Sequence, residues 1–285
     1  MPGISQTSEF SHITLTELHP TLGAELSGVY FSQPVAEDLF QEILAAITKY
    51  GVCVFRNTGL NYARHVAFAA QFGELDDVMP YLAGGRPRRL SHVRLFDVGN
   101  IDLDGGVFAL GNVRREWKRG NSLFHVDSSF NPRRAGYSLL RAAELPPTGM
   151  GGETEFADSR TAVNESTSYM QDHLHTNDFI AAHSLWHSRK VASPSTFADV
   201  DPEDYPMSRH RLLQTHEASG RETLSGSLRG DVHRLFSNAT QPRYALRVGW
   251  ENTGDLMLWD NTSVMHQAVG GTFEGQYRRD MRRGD

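Results

Sequence analysis

The spacing of apolar and polar positions changes near residue 121, and the predicted elements change with it. Before that point, Leu39, Ile43, Leu44 and Ile47 recur at helical spacing with charged residues on the other face, which predicts a helix over 35–49 stopped by Gly51. Val52–Phe55 reads as a β-branched and aromatic strand. Asn57–Gly59 turns the chain, and Asn61 caps a second helix that runs to about Phe72 and ends at Gly73. Residues 13–34 break into short strands and turns at Gly23, Gly28 and Pro34. Residues 76–121 have no steady period. They carry Pro80, Gly84, Gly85, Pro87, Gly99, Gly105, Gly106, Gly111 and Gly120 with the cluster Arg86, Arg88, Arg89, and they read as a lid or substrate-facing loop.

After 121 the period shortens to that of strands. Leu123–Asp127, Tyr137–Ala143, Glu153–Phe156, Tyr244–Trp250, Asp255–Trp259 and Tyr277–Arg283 are the expected strands. Pro146-Pro147-Thr148-Gly149 and Gly151-Gly152 are turns between two of them, and Asn252-Thr253-Gly254 is a tight turn joining Tyr244–Trp250 to Asp255–Trp259. Residues 158–178 are polar with a weak helical pattern, and 188–210 suit an excursion over the surface. Short strands after a small helical layer predict a mainly β sandwich or jelly-roll barrel with flanking helices. No repeat or linker divides the chain, so 1–285 is expected to be one domain.

Composition narrows the function classes. The chain is 39% apolar, enough for a sizeable core, and its net charge of −6 leaves no general nucleic-acid footprint. The single cysteine, Cys53, excludes an internal disulfide and suits a reducing compartment. The first residues show no signal-peptide pattern, and no apolar run reaches the length of a membrane span. A soluble cytoplasmic protein is therefore expected.

The candidate chemistry centres on Phe124-His125-Val126-Asp127, read together with His266. Residues two apart on a strand share a face, so an imidazole and a carboxylate project side by side. Two histidines and one carboxylate leave positions open on a metal, which suits non-heme Fe(II). With 13 histidines, one His-x-Asp arises by chance about once in such a chain, so its surroundings must carry the argument. His183 and His187 have the spacing that binds zinc on a helix but lack a hydrolase glutamate in a region that reads as strand; His173 and His175 would share a strand face with no carboxylate. These four are expected to be structural or surface residues.

Those surroundings resemble the TauD/TfdA family, the taurine and 2,4-dichlorophenoxyacetate dioxygenases. The resemblance begins at Leu22-Gly23-Ala24-Glu25-Leu26-Ser27-Gly28-Val29. It continues through Gly51-Val52-Cys53-Val54-Phe55-Arg56, Ala67-Phe68-Ala69-Ala70-Gln71-Phe72-Gly73 and His125-Val126-Asp127-Ser128-Ser129-Phe130. Leu145-Pro146-Pro147, Gly151-Gly152-Glu153-Thr154-Glu155-Phe156, Trp259-Asp260-Asn261 and Arg278–Arg283 complete it. It implies a double-stranded β-helix (jelly-roll, cupin-like) core and an Fe(II)- and 2-oxoglutarate-dependent oxygenase. Such an enzyme uses O2 to oxidise a C–H bond of a small, anionic organic substrate, releasing succinate and CO2. It implies His125, Asp127 and His266 as catalytic iron ligands, with Arg279 and Thr154 on the distal carboxylate of 2-oxoglutarate. Asn121 and Arg283 would then face the substrate.

A guanidinium fork does suit a carboxylate. Arg278 and Arg282, on the opposite strand face from Arg279 and Arg283, are expected to be solvated. Arg86, Arg88 or Arg89 could meet an anionic substrate. The implied partners are a small carboxylate or amino acid and identical chains in a homo-oligomer, with no nucleic acid and no membrane. Relatives that halogenate carry a small residue in place of the carboxylate, so Asp127 speaks against halogenation. Two alternatives remain: the same centre ending in desaturation or cyclisation of an amino-acid-like substrate, and a non-catalytic jelly-roll protein binding a metal or small acid. One departure stands out: between Gly220 and Gln241 the chain is about a dozen residues shorter than usual members.

Overall fold

In the computed structural model, which describes residues 5–6, 10–79, 88–224 and 237–285, strands β1 (Ser5–Gln6), β2 (Thr14–Glu17) and β3 (Ala24–Ser27) lead into helix α1 (Glu37–Tyr50). Buried Phe40, Ile43, Ala46, Ile47 and Tyr50 form its stripe, the pattern of a helix laid on a sheet. Gly51 ends it at φ +70°, and its amide returns to the Ile47 carbonyl. A Cβ there would be strained and would strike Val264. Strand β4 (Val52–Phe55) follows at once. Asn61 caps α2 (Tyr62–Ala69) by accepting from the Arg64 amide, and this helix ends three residues before Phe72.

Within 76–121, β5 (Phe96–Asp97) pairs with the last strand, and α3 (Val113–Lys118) runs into a 3-10 turn at Arg119–Ser122. Next come β6 (Tyr137–Glu144), β7 (Thr154–Asp158), α4 (Ser159–Asn164) and α5 (Ser168–Asn177). Then follow β8 (Ile180–His183), α6 (Leu185–Ala192), β9 (Ser208–Arg211), β10 (Leu213–His216) and β11 (Arg221–Leu224). The last strands are β12 (Ala245–Val248), β13 (Leu256–Asp260), β14 (Val264–Ala268) and β15 (Asp280–Gly284).

The strands form a major sheet in the order β1-β2-β3-β4-β13-β6-β15-β5 and a minor sheet β12-β7-β14, with small ribbons β8-β9 and β10-β11. The jelly-roll expectation holds. Alternation along β4 shows how the layers pack: Val52 and Val54 join Leu140, Met257, Trp259 and Met281 of the major sheet against Phe156, Val248 and Val264 of the minor one. Cys53 and Phe55 face the other way, onto α1 and α2. The site thus lies among the residues that the two sheets turn toward each other.

Four local expectations differ. Leu123–Asp127 is not a strand: His125 makes a single bridge to His266, and Ser128, at φ +55°, bends the chain away. β12 and β13 do not form a hairpin, since β12 pairs with β7 while β13 lies between β4 and β6. His173 and His175 lie on helix α5 rather than a strand, and His187 lies on α6. Residues 188–210 include the end of α6 and part of β9. Arg86 and most of the shortened stretch fall outside the described residues. No helix among the described residues is long and apolar enough to cross a membrane.

Candidate active site

His125 and His266 face each other across that single bridge, each amide donating to the other's carbonyl at 3.0 and 2.9 Å. Such pairing puts both side chains on one side, and the rings are 4.3 Å apart. His125 Nδ1 is 2.7 Å from the Leu123 carbonyl. A carbonyl only accepts, so Nδ1 carries the proton and Nε2 keeps its lone pair. That Nε2 is 3.8 Å from Asp127 Oδ1, and His266 Nε2 is 3.4 Å from Asp127 Oδ2. Among the described residues these three form the one group of metal-ligand side chains, with ligand atoms all within 4.8 Å of one another. The ring of Trp259, 4.6 Å from that of His266, and the ring of Phe156 give the site an apolar wall.

The carboxylate is held from several sides. Ser138 donates to Asp127 Oδ2 at 3.0 Å, and the Asp127 amide donates to Asn261 Oδ1 at 3.1 Å. Asn261 in turn donates to Ser138 at 2.8 Å and accepts from the Trp259 indole. Arg283 Nη1 donates to Asp127 Oδ1 at 2.5 Å. Burial opposes ionisation of Asp127, but Arg283, both histidines and Ser138 outweigh it and hold the carboxyl below its usual range. Burial lowers His125 and takes His266 down to about 3, against the pull of Asp127. Neutral imidazoles and an ionised carboxylate are the ligand forms. Buried His266 Nδ1 has no hydrogen-bond partner among the described residues. The donor set, its protonation and its convergence therefore fit a divalent metal of the facial-triad kind.

Two arginines follow on the inner face of the β15 region. Asp285 Oδ2 takes the Nε and Nη2 edge of Arg283 at 2.9 and 2.8 Å. With Nη1 on Asp127, two of its five N–H groups remain, one on each terminal nitrogen. Arg279, 8% exposed, donates Nε to the Gly152 carbonyl at 3.1 Å. Its terminal nitrogens have no hydrogen-bond partner among the described residues, and burial lowers it to about 10 while Glu153 opposes. Gly152 is required here: its φ is +91°, and a Cβ would lie 3.1 Å from the Arg279 side chain. Two residues on, buried Thr154 shares a strand face with Phe156, the residue opposite His266. Asn121 lies in the 3-10 turn that packs on β14, with no hydrogen bond drawing its side chain to the triad. Beyond Asp285 lies a cavity of about 330 Å³ bordered by Phe72, Arg134 and Tyr137, and none of the triad lines it.

Arg282 is not solvated as expected. It is 3% exposed, paired with Asp280 and bonded to the Tyr62 hydroxyl. Arg278 is half-exposed on Glu144. Arg89 is spent on Asp97 and Asp280, while Arg88 is exposed. His183 lies between Ser129 and Ser188, and His187 forms the capping box of α6. Both are structural, as expected. Ser138 and Asp285 escaped the sequence reading. A lone serine in an otherwise apolar stretch of β6 was the available signal for the first, and nothing marked the second. Asn261 stood in a matched motif without an assigned role.

A family model described as taurine catabolism dioxygenase TauD, TfdA family matches residues 14–284. The chain is 30% identical over 284 residues to the alpha-ketoglutarate-dependent 2,4-dichlorophenoxyacetate dioxygenase of Cupriavidus pinatubonensis, covering 95% of this chain and 96% of that protein. It is 29% identical over 279 residues to the protein of the same description from a Burkholderia species, covering 93% and 91%. Among solved structures, AAD-2 in complex with Mn(II) and N-oxalylglycine superposes with a TM-score of 0.86 at 30% identity, over 96% of this chain and 97% of that one.

Proposed function

The chain belongs to the TauD/TfdA family of Fe(II)- and 2-oxoglutarate-dependent dioxygenases, and from that premise we propose that His125, Asp127 and His266 hold its iron for oxidation of a C–H bond in a small organic carboxylate. The observation that carries this assignment is the convergence of the three ligand atoms beside two arginines with unspent N–H groups. Bound Fe(II) supplies the redox chemistry that couples decarboxylation of 2-oxoglutarate by O2 to C–H oxidation.

The protein's own part is placement. His125 Nε2 and His266 Nε2 offer lone pairs from the two sides of their single bridge, and Ser138 and Asn261 fix the plane of the Asp127 carboxylate. Arg279 and Thr154 take the distal carboxylate of 2-oxoglutarate: the guanidinium has free terminal nitrogens and lies in a dry setting that strengthens the pair. Arg283, with one N–H left on each terminal nitrogen, and Asn121 receive the anionic group of the substrate. Two relatives are named for a phenoxyacetate, itself a carboxylate, which supports an organic acid. Trp259 and Phe156 keep bulk water from the ligands. We read 1–285 as one catalytic domain, with 76–121 closing over the site. It would work in the cytoplasm, where a buried free thiol such as Cys53 suits reducing conditions. As a homo-oligomer it would meet its copies through exposed apolar residues such as Leu110 and Val113.

The test is anaerobic. Fe(II) and then 2-oxoglutarate added to the apoprotein should give the weak visible charge-transfer absorption of a chelated keto acid, and His125→Ala should abolish it while staying folded. No absorption from folded wild type would sink the assignment. With O2 and a panel of aryloxy acids, small carboxylates and amino acids, hydroxylation predicts a product heavier by one oxygen atom. A product lighter by two hydrogens would move the weight to desaturation or cyclisation.

A further inference from the structure

The outer face of the β6–β15 ladder holds more positive charge than its carboxylates can neutralise. Arg141 and Arg282 are opposite one another across the two strands, and like charges in register repel. Asp280 accepts from both Arg282 and Arg89, and Asp97 accepts from Arg89. Three guanidiniums thus meet two carboxylates, and the one left over is Arg141. Lys118, on the carbonyls of Gly99 and Asp97, adds to the surplus. Arg141 is 7% exposed, yet it has no hydrogen bond or ion pair among the described residues; its guanidinium lies 5.6 Å from the Tyr62 ring.

The surroundings also have unspent polar valence. Among the described residues, the buried Nδ1 atoms of His65 and His92 lack hydrogen-bond partners, as does Arg141 Nε. His65 gives its Nε2 proton to the Leu139 carbonyl at 3.1 Å, so its Nδ1 is a bare acceptor. The Tyr62 hydroxyl accepts from Arg282 at 3.1 Å, which leaves its own proton to donate. A buried guanidinium is kept charged by a counter-charge or not buried at all.

We propose that Arg141 is the base of a binding site for a chloride-sized monoanion, held between the major sheet and α2. The N–H groups of Arg141 and the hydroxyl of Tyr62 are its donors, and a water shared with the anion donates to His65 Nδ1. A single guanidinium left without a carboxylate fits a monoanion, and the buried polar atoms there are closed to bulk solvent. The site is on the far side of β6 from Ser138 and does not depend on the iron assignment. Its occupancy relieves the Arg141–Arg282 repulsion and so ties β6 to β15, the strands that carry Ser138 and Arg283.

Crystals grown in bromide decide it. Anomalous scattering should place a bromide within about 3.5 Å of an Arg141 nitrogen. In solution, wild type should melt about 3 °C higher in chloride than in gluconate at equal ionic strength, and Arg141→Met should show no such difference. No bromide at Arg141, or bromide only at Arg279 or Arg283, overturns the proposal. So does an equal chloride response in both proteins. Should Arg141→Met fail to fold, the wild-type bromide map still decides.

Discussion

Asp280, on the outer face of the β6–β15 ladder, accepts from two guanidiniums, Arg89 and Arg282, and is held at about 2 because their hydrogen bonds and charge outweigh its burial. Asp127, on the inner face, meets one guanidinium, Arg283, beside a hydroxyl and two imidazoles that make no strong bond to it. Asp280 and its two guanidiniums are spent on each other and clasp the ladder to the 88–97 segment. The inner groups keep valence in reserve: N–H groups on Arg283 and Arg279, and lone pairs on His125 and His266. Two histidine–aspartate pairs repeat the contrast. His216 and Asp260 are 2.7 Å apart, with Ser219 on the other ring nitrogen and Thr262 on the other carboxylate oxygen, so that pair is closed. His266 and Asp127 stay 3.4 Å apart. Buried charge alone does not mark a site; unfinished coordination does.

The sharpest way to break the contrast is Asp280→Asn. It strands the buried guanidinium of Arg282 and leaves Arg89 to Asp97 alone, and denaturant unfolding should show a loss of about 3–5 kcal/mol, with a smaller change in Mn(II) affinity. The reverse ranking would mean that the outer clasp belongs to the metal site. The sign with pH follows from a folded value below the ordinary 3.8: the contribution of Asp280 is present above that value and is lost as pH falls from about 4 toward 2. The gap between wild type and variant should close over the same window.

Ser138→Ala acts on the inner face. Asp127 loses its hydroxyl donor and Asn261 its acceptor, so calorimetric Mn(II) affinity should drop about 10–100-fold for a stability cost of roughly 1–3 kcal/mol. Unchanged affinity would show that Arg283 alone orients the carboxylate. Arg278→Ala is the smallest expected effect. Its half-exposed pair with Glu144 should contribute within about 0.5 kcal/mol, and a larger loss would show that the rim of β15 is less tolerant than its exposure suggests.

How much was legible differs by element. Helix α1 and strand β4 follow from local spacing because each buries one periodic stripe or one continuous run, and Asn61 is read correctly because a cap is a contact three residues long. The segment around His125 reads as a strand, yet it pairs at one residue, since Ser128 turns away. β12 and β13 look like a hairpin across Asn252-Thr253-Gly254, but each has better partners far away in sequence. Arg282 looks solvated because alternation shows the face and not what covers it. Here Tyr62, Arg89 and Asp280 cover it. The roles of Ser138 and Asp285 depend on contacts with residues 11 positions from Ser138 and two from Asp285, and no motif encodes either.

By itself, the sequence determined the family, the mainly β core and the side chains capable of forming the centre, because periodicity and an ordered set of motifs are properties of the chain. Tertiary structure decided which of those side chains keep free valence. It brought His125 and His266 into one bridge across 141 residues of chain and, among the described residues, gave Arg283 two carboxylates and Arg279 none and left Arg141 Nε without a hydrogen-bond partner. Charge pairing and desolvation are settled by distance in space, and distance in space is set only when the sheets close.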